Sequence, residues 1–179
     1  MRIFFDFEFI EDGITIDPIS LGMVDQFGRG LYLLHKDCNL SRANAWVVEN
    51  VFPGAAIADG KFTSEAEPFL STREEMRQQV LGFIGDVVPE FWTYYGSYDW
   101  VAFCQLFGKM IDLPNLFPRY SRDLKQEADR LGADLSSFDP PLEGNEHNAL
   151  RDAHWNRLAY EHLKNLNGIS LAERWKVRQ

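Results

Sequence analysis

The sequence has few cysteines, and they do not form a zinc-binding pattern. Only Cys38 and Cys104 occur among the 179 residues, without CxxC or Cys/His spacing. This excludes a structural zinc site of the common cysteine and histidine types. Both thiols are expected to be small buried side chains, and the composition favours a reducing, cytoplasmic setting.

Long apolar segments are also missing. The first ten residues, MRIFFDFEFI, carry acids inside their apolar stretch, which excludes a secretory signal peptide. No apolar run approaches the roughly 20 residues that a membrane-spanning helix needs. The sequence therefore predicts a soluble protein with no membrane partner.

Positive charge is scarce relative to negative charge. The chain has 18 lysine and arginine residues against 27 aspartate and glutamate residues, which gives a formal net charge of −9. This balance argues against long-range, phosphate-driven binding to extended nucleic acid. It does not exclude a nuclease that holds only the last few nucleotides. Such a site can meet phosphate through bound cations, and cations need carboxylates.

The chain length fits one domain over 1–179. Segments rich in phenylalanine, isoleucine and leucine, joined by short connections, predict an antiparallel meander of three strands over 2–10, 19–25 and 30–35. After it, the sequence predicts a strand over 91–95, a loop over 52–63, and helices over 41–51 (with Ser41 as N-cap), 73–88, 98–108, Leu124 to Leu131 and 148–166, before a short polar helix. This order predicts an α/β fold with a mixed sheet flanked by helices.

Two acids share one face of the first strand. Strict alternation places Asp6 and Glu8 on the same side as Phe4 and Ile10. Neighbouring carboxylates on a buried strand repel each other and lose hydration, so leaving both ionised without a partner is costly. A divalent cation would relieve that cost. Pairing with arginine or lysine, or exposure on an edge strand, is the alternative that this motif leaves open.

Asp99 follows the strand over 91–95 and lies in the first turn of the next predicted helix. Aspartate is common there because of the helix dipole, so the residue alone does not indicate a site. Its position is more informative, because open α/β sheets bind ligands at the carboxyl ends of their strands.

His147 and Asp152 lie close together near the start of the last long helix. Five residues along a regular helix correspond to roughly 140° around its axis, so the two side chains cannot point the same way from it. They converge if His147 lies on the loop before the helix and reaches back, with residues 143–145 as the approach. A terminal histidine and a solvated aspartate are the alternative.

Taken together, the three motifs resemble the DEDDh family of 3′→5′ exonucleases, which has the ribonuclease H-like fold. The resemblance rests on DFE at 6–8, YD at 98–99 and HNALRDA at 147–153, whose order and separations match the family across residues 1–165. The histidine five residues before the last aspartate implies the histidine subclass. The tyrosine subclass would have tyrosine where this chain has Asn148.

Longer segments are similar to a compact bacterial and phage exoribonuclease group within that family. They are FFDFEFIEDG, ISLGMV and YGSYDWVAFCQLFG. One position differs from the wider family, because many members carry an asparagine shortly before the mid-chain aspartate, where this chain has Gly96-Ser97.

The resemblance implies the roles of the site residues. Two divalent ions, Mg²⁺ or Mn²⁺, would be held by Asp6, Glu8, Asp99 and Asp152, with Asp6 shared between them. Two such cations stabilise the attacking hydroxide and the leaving oxygen of a phosphodiester. His147 would be the general base, since a histidine can take a proton from water at neutral pH.

Five further residues are predicted to contact the substrate. Phe9, Ile10 and Trp100 flank the catalytic acids, and each is a candidate for stacking on the terminal nucleotide. Ser20 and Leu21, on the second strand, are candidates for the border of the same pocket.

The predicted function is that of a two-metal-ion 3′→5′ exoribonuclease that releases nucleoside 5′-monophosphates. Its expected substrates are single-stranded RNA and RNA with a 3′ overhang. One alternative is a DNA exonuclease of the proofreading or repair type, because this fold serves both polymers. Another is a catalytically silent nucleic-acid-binding module. The resemblance also implies a homodimer.

Overall fold

Within residues 1–144 and 146–176, which the structure describes, the chain forms eight strands and five α-helices. The structure is a computed structural model, and the side chains of residues 168–176 lie outside its description. Asn145, part of the predicted approach to His147, also lies outside the described residues.

The strands are β1 (Arg2–Glu11), β2 (Ile16–Asp25), β3 (Gly30–His35), β4 (Ile57–Ala58), β5 (Lys61–Phe62), β6 (Leu70–Ser71), β7 (Glu90–Thr93) and β8 (Arg122–Asp123). The α-helices are α1 (Ala45–Asn50), α2 (Arg73–Ile84), α3 (Ser97–Phe107), α4 (Leu124–Leu131) and α5 (Ala149–Lys176).

Six of the strands form one mixed sheet in the order β6-β3-β2-β1-β7-β8. The pairs β1/β2 and β2/β3 are antiparallel, and the pairs β3/β6, β1/β7 and β7/β8 are parallel. The predicted fold class is therefore confirmed: an antiparallel meander is extended by parallel strands. This order places β1 between β2 and β7, in the middle of the sheet.

Alternation along β1 distributes its side chains between two hydrophobic layers. Ile3, Phe5 and Phe7 pack against apolar residues of α2 and α3 on one face. Phe4 packs against α4 and α5 on the other face. A register shift between Glu8 and Phe9 interrupts the pairing with β2 near the end of the strand. The two acids of β1 therefore lie directly before the interruption of the regular ladder.

The first predicted helix is divided in the structure. Leu40–Arg42 forms a 3-10 turn and α1 begins only at Ala45, so Ser41 is not its N-cap. Asn44 has that role, because its side-chain oxygen accepts a hydrogen bond from the backbone N–H of Val47 at 2.9 Å. The predicted loop over 52–63 contains a second 3-10 turn and the β4/β5 hairpin.

Two other helix ends differ from the predictions. The capping box of Thr72 and Glu75 is confirmed at the start of α2, but that helix ends at Ile84 because Gly85 takes a positive φ of 68°. The final helix is continuous to Lys176, where the sequence predicted a break after residue 166. A lone glycine such as Gly168 costs a helix only about 1 kcal/mol relative to alanine, which is too little to end it.

Helix α5 crosses β1 and β2 at closest range above Gly22. An ideal Cβ on Gly22 would lie 2.1 Å from the carbonyl carbon and oxygen of Ala149 and 2.3 Å from the nitrogen of Leu150. Only glycine therefore permits this approach of helix and strand backbone. Gly22 is the pairing partner of Asp6 in the β1/β2 ladder. The contact brings the beginning of α5 over the strand position that carries the first acid.

Gly22→Ala is therefore expected to lower the melting temperature. Backbone atoms cannot rotate away as a side chain can, so α5 must shift. Overpacking of this kind costs about 1–3 kcal/mol, or roughly 2–12 °C for a chain of this size. Differential scanning calorimetry measures the shift.

Gly82→Ala is the matched control for this substitution. Gly82 lies inside α2, and nothing lies within 4 Å of its ideal Cβ. Alanine is favoured over glycine in a helix interior by roughly 0.5–1 kcal/mol, so this variant should melt slightly higher than the wild type. An unchanged melting temperature for Gly22→Ala would contradict the close contact.

None of the helices in the described ranges combines the length and apolar character that a membrane crossing requires.

Candidate active site

The predicted catalytic residues converge on one open cavity of about 740 Å³. Asp6 and Glu8 come from β1, Asp99 from the first turn of α3, and Asp152 from the first turn of α5. His147 lies two residues before α5 begins. All five residues line this cavity, so chain segments far apart in sequence meet at the end of β1.

Burial and neighbouring carboxylates disfavour the ionised forms of the two acids of β1. Burial raises the pKa of Asp6 well above its ordinary value, and the charges of Asp99, Glu8 and Asp152 raise it further. Glu8 is 9% exposed. Burial, followed by the charges of Asp152 and Asp99, raises its pKa to about 8. Asp6 is therefore surrounded by the other three carboxylates.

Asp99 is tied to β1 by a hydrogen bond. Its Oδ1 accepts from the backbone N–H of Phe7 at 2.7 Å, which joins the start of α3 to the strand between the two acids. Burial raises the pKa of Asp99 to about 7, and the hydrogen bonds from the Phe7 and Asp99 backbone oppose that shift. The position of this carboxylate is thus fixed by a buried contact.

His147 reaches the acids from outside the helix. Its backbone has a φ of 62°, a left-handed conformation that is uncommon for residues other than glycine. Nitrogen or oxygen atoms of Glu8, His147 and Asp152 all lie within 4.8 Å of one another. Burial raises the pKa of Asp152, while Arg151 and His147 oppose the shift. His147 therefore approaches Asp152 from the loop before α5, as the sequence predicted.

The charge of the cavity is strongly unbalanced. Arg151 is the only lysine or arginine that lines it in the described part of the chain. Its Nη1 lies 3.2 Å from Oδ1 of Asp152. One guanidinium against four carboxylates, of which Glu8 and Asp99 are buried and Asp6 and Asp152 are half-buried, leaves negative charge that no other lysine or arginine of the described lining compensates. Such a cluster fits hard divalent cations, which take carboxylate oxygens as ligands.

The His147 segment is held by residues that the sequence analysis did not identify. The ring of Trp46, on α1, meets the imidazole edge-to-face with centroids 4.9 Å apart. Asn148 donates from Nδ2 to the carbonyl of Gly54 at 2.7 Å and accepts from the N–H of Arg151 at 3.1 Å. The N-cap preference of asparagine before a helix was the available signal for Asn148.

A steric contact explains the glycine at position 96, in the segment where many members of the family carry an asparagine. An ideal Cβ on Gly96 would lie 1.8 Å from Oγ1 of Thr93. The N–H of Gly96 donates to Oδ2 of Asp123 at 2.9 Å, which fixes the turn between β7 and α3. A side chain such as that of asparagine does not fit at this position without a shift of β7.

Of the residues predicted to contact the substrate, one lines the cavity and the others do not. Phe9 lines the cavity, and its ring meets that of Tyr98 with centroids 5.9 Å apart. Leu21 and Ser20 are fully buried on β2, and Ile10 is buried beneath the segment over 38–66, so none of the three has surface to offer a nucleotide.

Trp100 also has a packing role instead of the predicted contact. It stacks on Phe103 at 5.4 Å and packs against the core layer of α2 and α3, because its position on α3 faces the sheet. Within the described residues, the cavity lining does not include Trp100, Ile10, Ser20 or Leu21.

Removing one buried carboxyl group is expected to stabilise the metal-free protein at alkaline pH. The pKa of Glu8 is raised from about 4.5 to about 8. The folded state therefore keeps a proton that the unfolded chain has already released, and stability falls as the pH rises between these values. In EDTA, Glu8→Gln should melt several degrees above the wild type near pH 8.5 and close to it near pH 4.5.

Thermal unfolding of wild type, Glu8→Gln and the exposed control Glu49→Gln across this pH range measures the effect. Glu49 lies on the surface of α1, so its variant should follow the wild-type profile. If the melting temperatures of all three proteins changed equally with pH, the burial of Glu8 and its repulsion by neighbouring carboxylates would be contradicted.

Comparison with known proteins gives two curated relatives from two strains of Mycobacterium tuberculosis. Each is named 3′-5′ exoribonuclease and is 37% identical to this chain over 156 residues, which cover 86% of this chain and 87% of the relative. No protein-family model matches the chain.

Solved structures of exonuclease I have a similar fold. An apo structure has a TM-score of 0.56 at 13% identity and covers 92% of this chain. The enzyme from Methylocaldum szegediense has a TM-score of 0.56 at 13% identity and covers 96%. The E. coli enzyme in complex with an oligonucleotide has a TM-score of 0.52 at 15% identity and covers 88%. This chain spans only 42%, 42% and 38% of those three chains, so the likeness concerns the fold of one part of them.

Proposed function

This chain belongs to the 3′-5′ exoribonuclease family of its two mycobacterial relatives, and from that membership we propose a metal-dependent enzyme that removes nucleoside 5′-monophosphates one at a time from RNA 3′ ends. The observation that carries the proposal is the convergence of four carboxylates and His147 on one cavity, with one guanidinium among its described lining residues. A nuclease of this type needs a concentrated negative site to hold cations beside a phosphodiester.

The acids would hold two divalent ions. Asp6, Glu8, Asp99 and Asp152 are the proposed ligands, with Asp6 shared because it lies among the other three charges. Mg²⁺ or Mn²⁺ suits a set of carboxylate oxygens. When bound, the cations would neutralise charge on the scissile phosphate and make water a better nucleophile.

His147 is the proposed general base. Its imidazole lies beside Glu8 and Asp152 and projects from a loop instead of a helix, so it can face a water held near the acids. It would take the proton of the attacking water as the bond from the water oxygen to phosphorus forms. The bond from phosphorus to the 3′ oxygen of the upstream nucleotide breaks in the same step, and that oxygen takes a proton from solvent to become the new 3′-hydroxyl. The edge-to-face contact with Trp46 and the hydrogen bonds of Asn148 support the orientation of this segment.

RNA is the proposed substrate, in single-stranded form or as a 3′ overhang. Phe9 would stack on the terminal base, since it lines the cavity directly after Glu8. Glu8 or a nearby backbone group would accept a hydrogen bond from the 2′-OH, the group that distinguishes RNA from DNA. The net charge of −9 supports binding at an end, because a long duplex needs many phosphate contacts.

The proposal is tested with matched 5′-labelled RNA and DNA of identical sequence in Mg²⁺ or Mn²⁺. We expect a ladder that shortens from the 3′ end and faster digestion of RNA. Immediate accumulation of 5′-labelled mononucleotide would mean 5′→3′ attack. Equal or faster digestion of DNA would indicate the DNA exonuclease, and binding without digestion would indicate the silent module.

We further propose that residues 1–179 act as one exonuclease domain, that the protein is a homodimer and that it is cytoplasmic. The family resemblance supports the dimer, and the two free, buried cysteines Cys38 and Cys104 fit a reducing compartment. Light scattering coupled to size-exclusion chromatography measures the mass in solution. A monomer mass near 20.7 kDa would exclude the dimer.

A further inference from the structure

A run of aromatic side chains lines the catalytic cavity and has no assigned part in the reaction. Tyr95, Tyr94, Trp155 and Phe138 all belong to the cavity lining, and we refer to them as the aromatic run. Successive ring centroids are 4.5 Å apart from Tyr95 to Tyr94, 4.9 Å from Tyr94 to Trp155 and 5.8 Å from Trp155 to Phe138. These distances are those of aromatic pairs in contact.

The end of the run at Tyr95 is strained and exposed. Tyr95 has a φ of 54°, in the left-handed region, and 64% of its surface is accessible. A bulky residue in that conformation is strained and persists only where its surroundings fix it. The N–H of Gly96 bound to Asp123 and the N–H of Ser97 bound to the Tyr95 carbonyl fix this turn. The fold thus holds an exposed ring in the cavity at a cost in stability.

The rest of the run is anchored. The indole N–H of Trp155 donates to the carbonyl of Phe138 at 3.1 Å, which attaches the segment over 135–139 to α5. Trp155 also follows Asp152 by three residues on α5, one turn away from a proposed metal ligand. The run therefore begins beside α3 and continues along the same helix that carries the last acid.

The charge of the cavity favours contacts with bases over contacts with phosphates. RNA is a polyanion, but only Arg151 supplies a positive side chain among the described lining residues, and it is paired with Asp152. Proteins that hold single strands combine phosphate contacts with aromatic platforms on which bases stack. The proposed cations would meet the scissile phosphate alone, so beyond it the aromatic platforms must supply most of the affinity for the strand.

We propose that the aromatic run is a subsite for a base of single-stranded RNA upstream of the scissile phosphate, with Tyr95 as its exposed stacking platform. The proposal rests on the proposed function, in which Phe9 takes the terminal base. Four rings offer more surface than that base alone can cover, and they come from elements other than β1. Stacking is tolerant of sequence because every base has a π-face, so this subsite should add affinity without base preference.

Tyr95→Gly tests the subsite, because glycine removes the ring and also relieves the positive φ. Its melting temperature should equal or exceed that of the wild type. We expect its KM for single-stranded RNA of about ten nucleotides to rise about tenfold or more, the effect of losing one stacked base, with kcat nearly unchanged. Tyr95→Phe keeps the ring and should behave as the wild type.

Adenosine 5′-monophosphate separates the upstream subsite from the terminal one, because it carries a single base. Its Ki against RNA digestion should be the same for wild type and Tyr95→Gly. Tyr120→Gly, which removes another exposed tyrosine outside the cavity lining in the described residues, should leave both KM and Ki unchanged.

Two results would overturn the subsite: an unchanged KM for RNA in Tyr95→Gly, or a Ki for the monophosphate that rises as much as KM. If the wild type digests no RNA, the proposed function fails. The Kd for the same RNA in EDTA then tests whether the subsite exists. A Kd that rises about tenfold in Tyr95→Gly supports it, and an equal Kd overturns it.

Discussion

Asp6→Asn is expected to lower kcat on RNA by about 10³-fold or more, roughly 4 kcal/mol of barrier. The substitution keeps the size of the side chain and removes one negative charge from the centre of the carboxylate cluster. Asp6 is the acid on which the charges of Asp99, Glu8 and Asp152 all act. If it is shared between two cations, its loss weakens both sites together, whereas loss of a peripheral acid weakens one.

The measurement combines single-turnover digestion of 5′-labelled RNA with calorimetric titration of Mn²⁺. Metal affinity should fall together with the rate. Because Asp6→Asn also removes buried repulsion, the metal-free variant should remain folded and melt no lower than the wild type. Asp129→Asn, on the exposed surface of α4, is the control and should change neither quantity. Retention of more than about a tenth of the wild-type rate, roughly 1.4 kcal/mol, would sink the assignment of Asp6 as the shared ligand.

His147→Ala is expected to lower the rate by about 10²–10⁴-fold while leaving Mn²⁺ affinity nearly unchanged. General-base catalysis contributes a factor of this size. The geometry also permits a second role, because atoms of His147, Glu8 and Asp152 lie within 4.8 Å of one another and could hold one ion. Rate and affinity therefore have to be measured separately.

Calorimetry with Mn²⁺ and single-turnover rates at saturating metal distinguish the two roles. Addition of imidazole should restore part of the rate in His147→Ala, since a free base can replace the missing side chain. His154→Ala is the control, because His154 lies on α5 and is not among the described residues that line the cavity. A large loss of Mn²⁺ affinity with an unchanged rate at saturating metal would make His147 a ligand.

Family membership and the α/β architecture were predicted correctly from the sequence because both depend on local patterns. Alternation of apolar residues along β1 puts Asp6 and Glu8 on one face. The capping box of Thr72 and Glu75 marks the start of α2. The motifs around Asp99 and His147 keep their order in any conformation, so the resemblance to the exonuclease family is present in the sequence alone.

The ends of helices were predicted less accurately from the sequence. The helix predicted over 41–51 is divided, and α2 ends at Ile84 because Gly85 adopts a positive φ. Leu21 and Trp100 were predicted to contact the substrate, but their side chains pack in or against the hydrophobic core instead. Proximity in sequence to a catalytic acid does not determine which face of a strand or helix a neighbour takes once the sheet is covered on both sides.

The sequence by itself determined which acids and which histidine are available, and on which face of β1 the first two lie. The tertiary structure decided that His147 reaches them, because its left-handed backbone and the hydrogen bond from Asn148 to the Gly54 carbonyl turn the loop back over α5. It also decided that Tyr95 and Trp155 line the same cavity. The placements of His147 and Trp155 depend on the contact of α5 with Gly22, a long-range approach of two backbones that no local periodicity encodes.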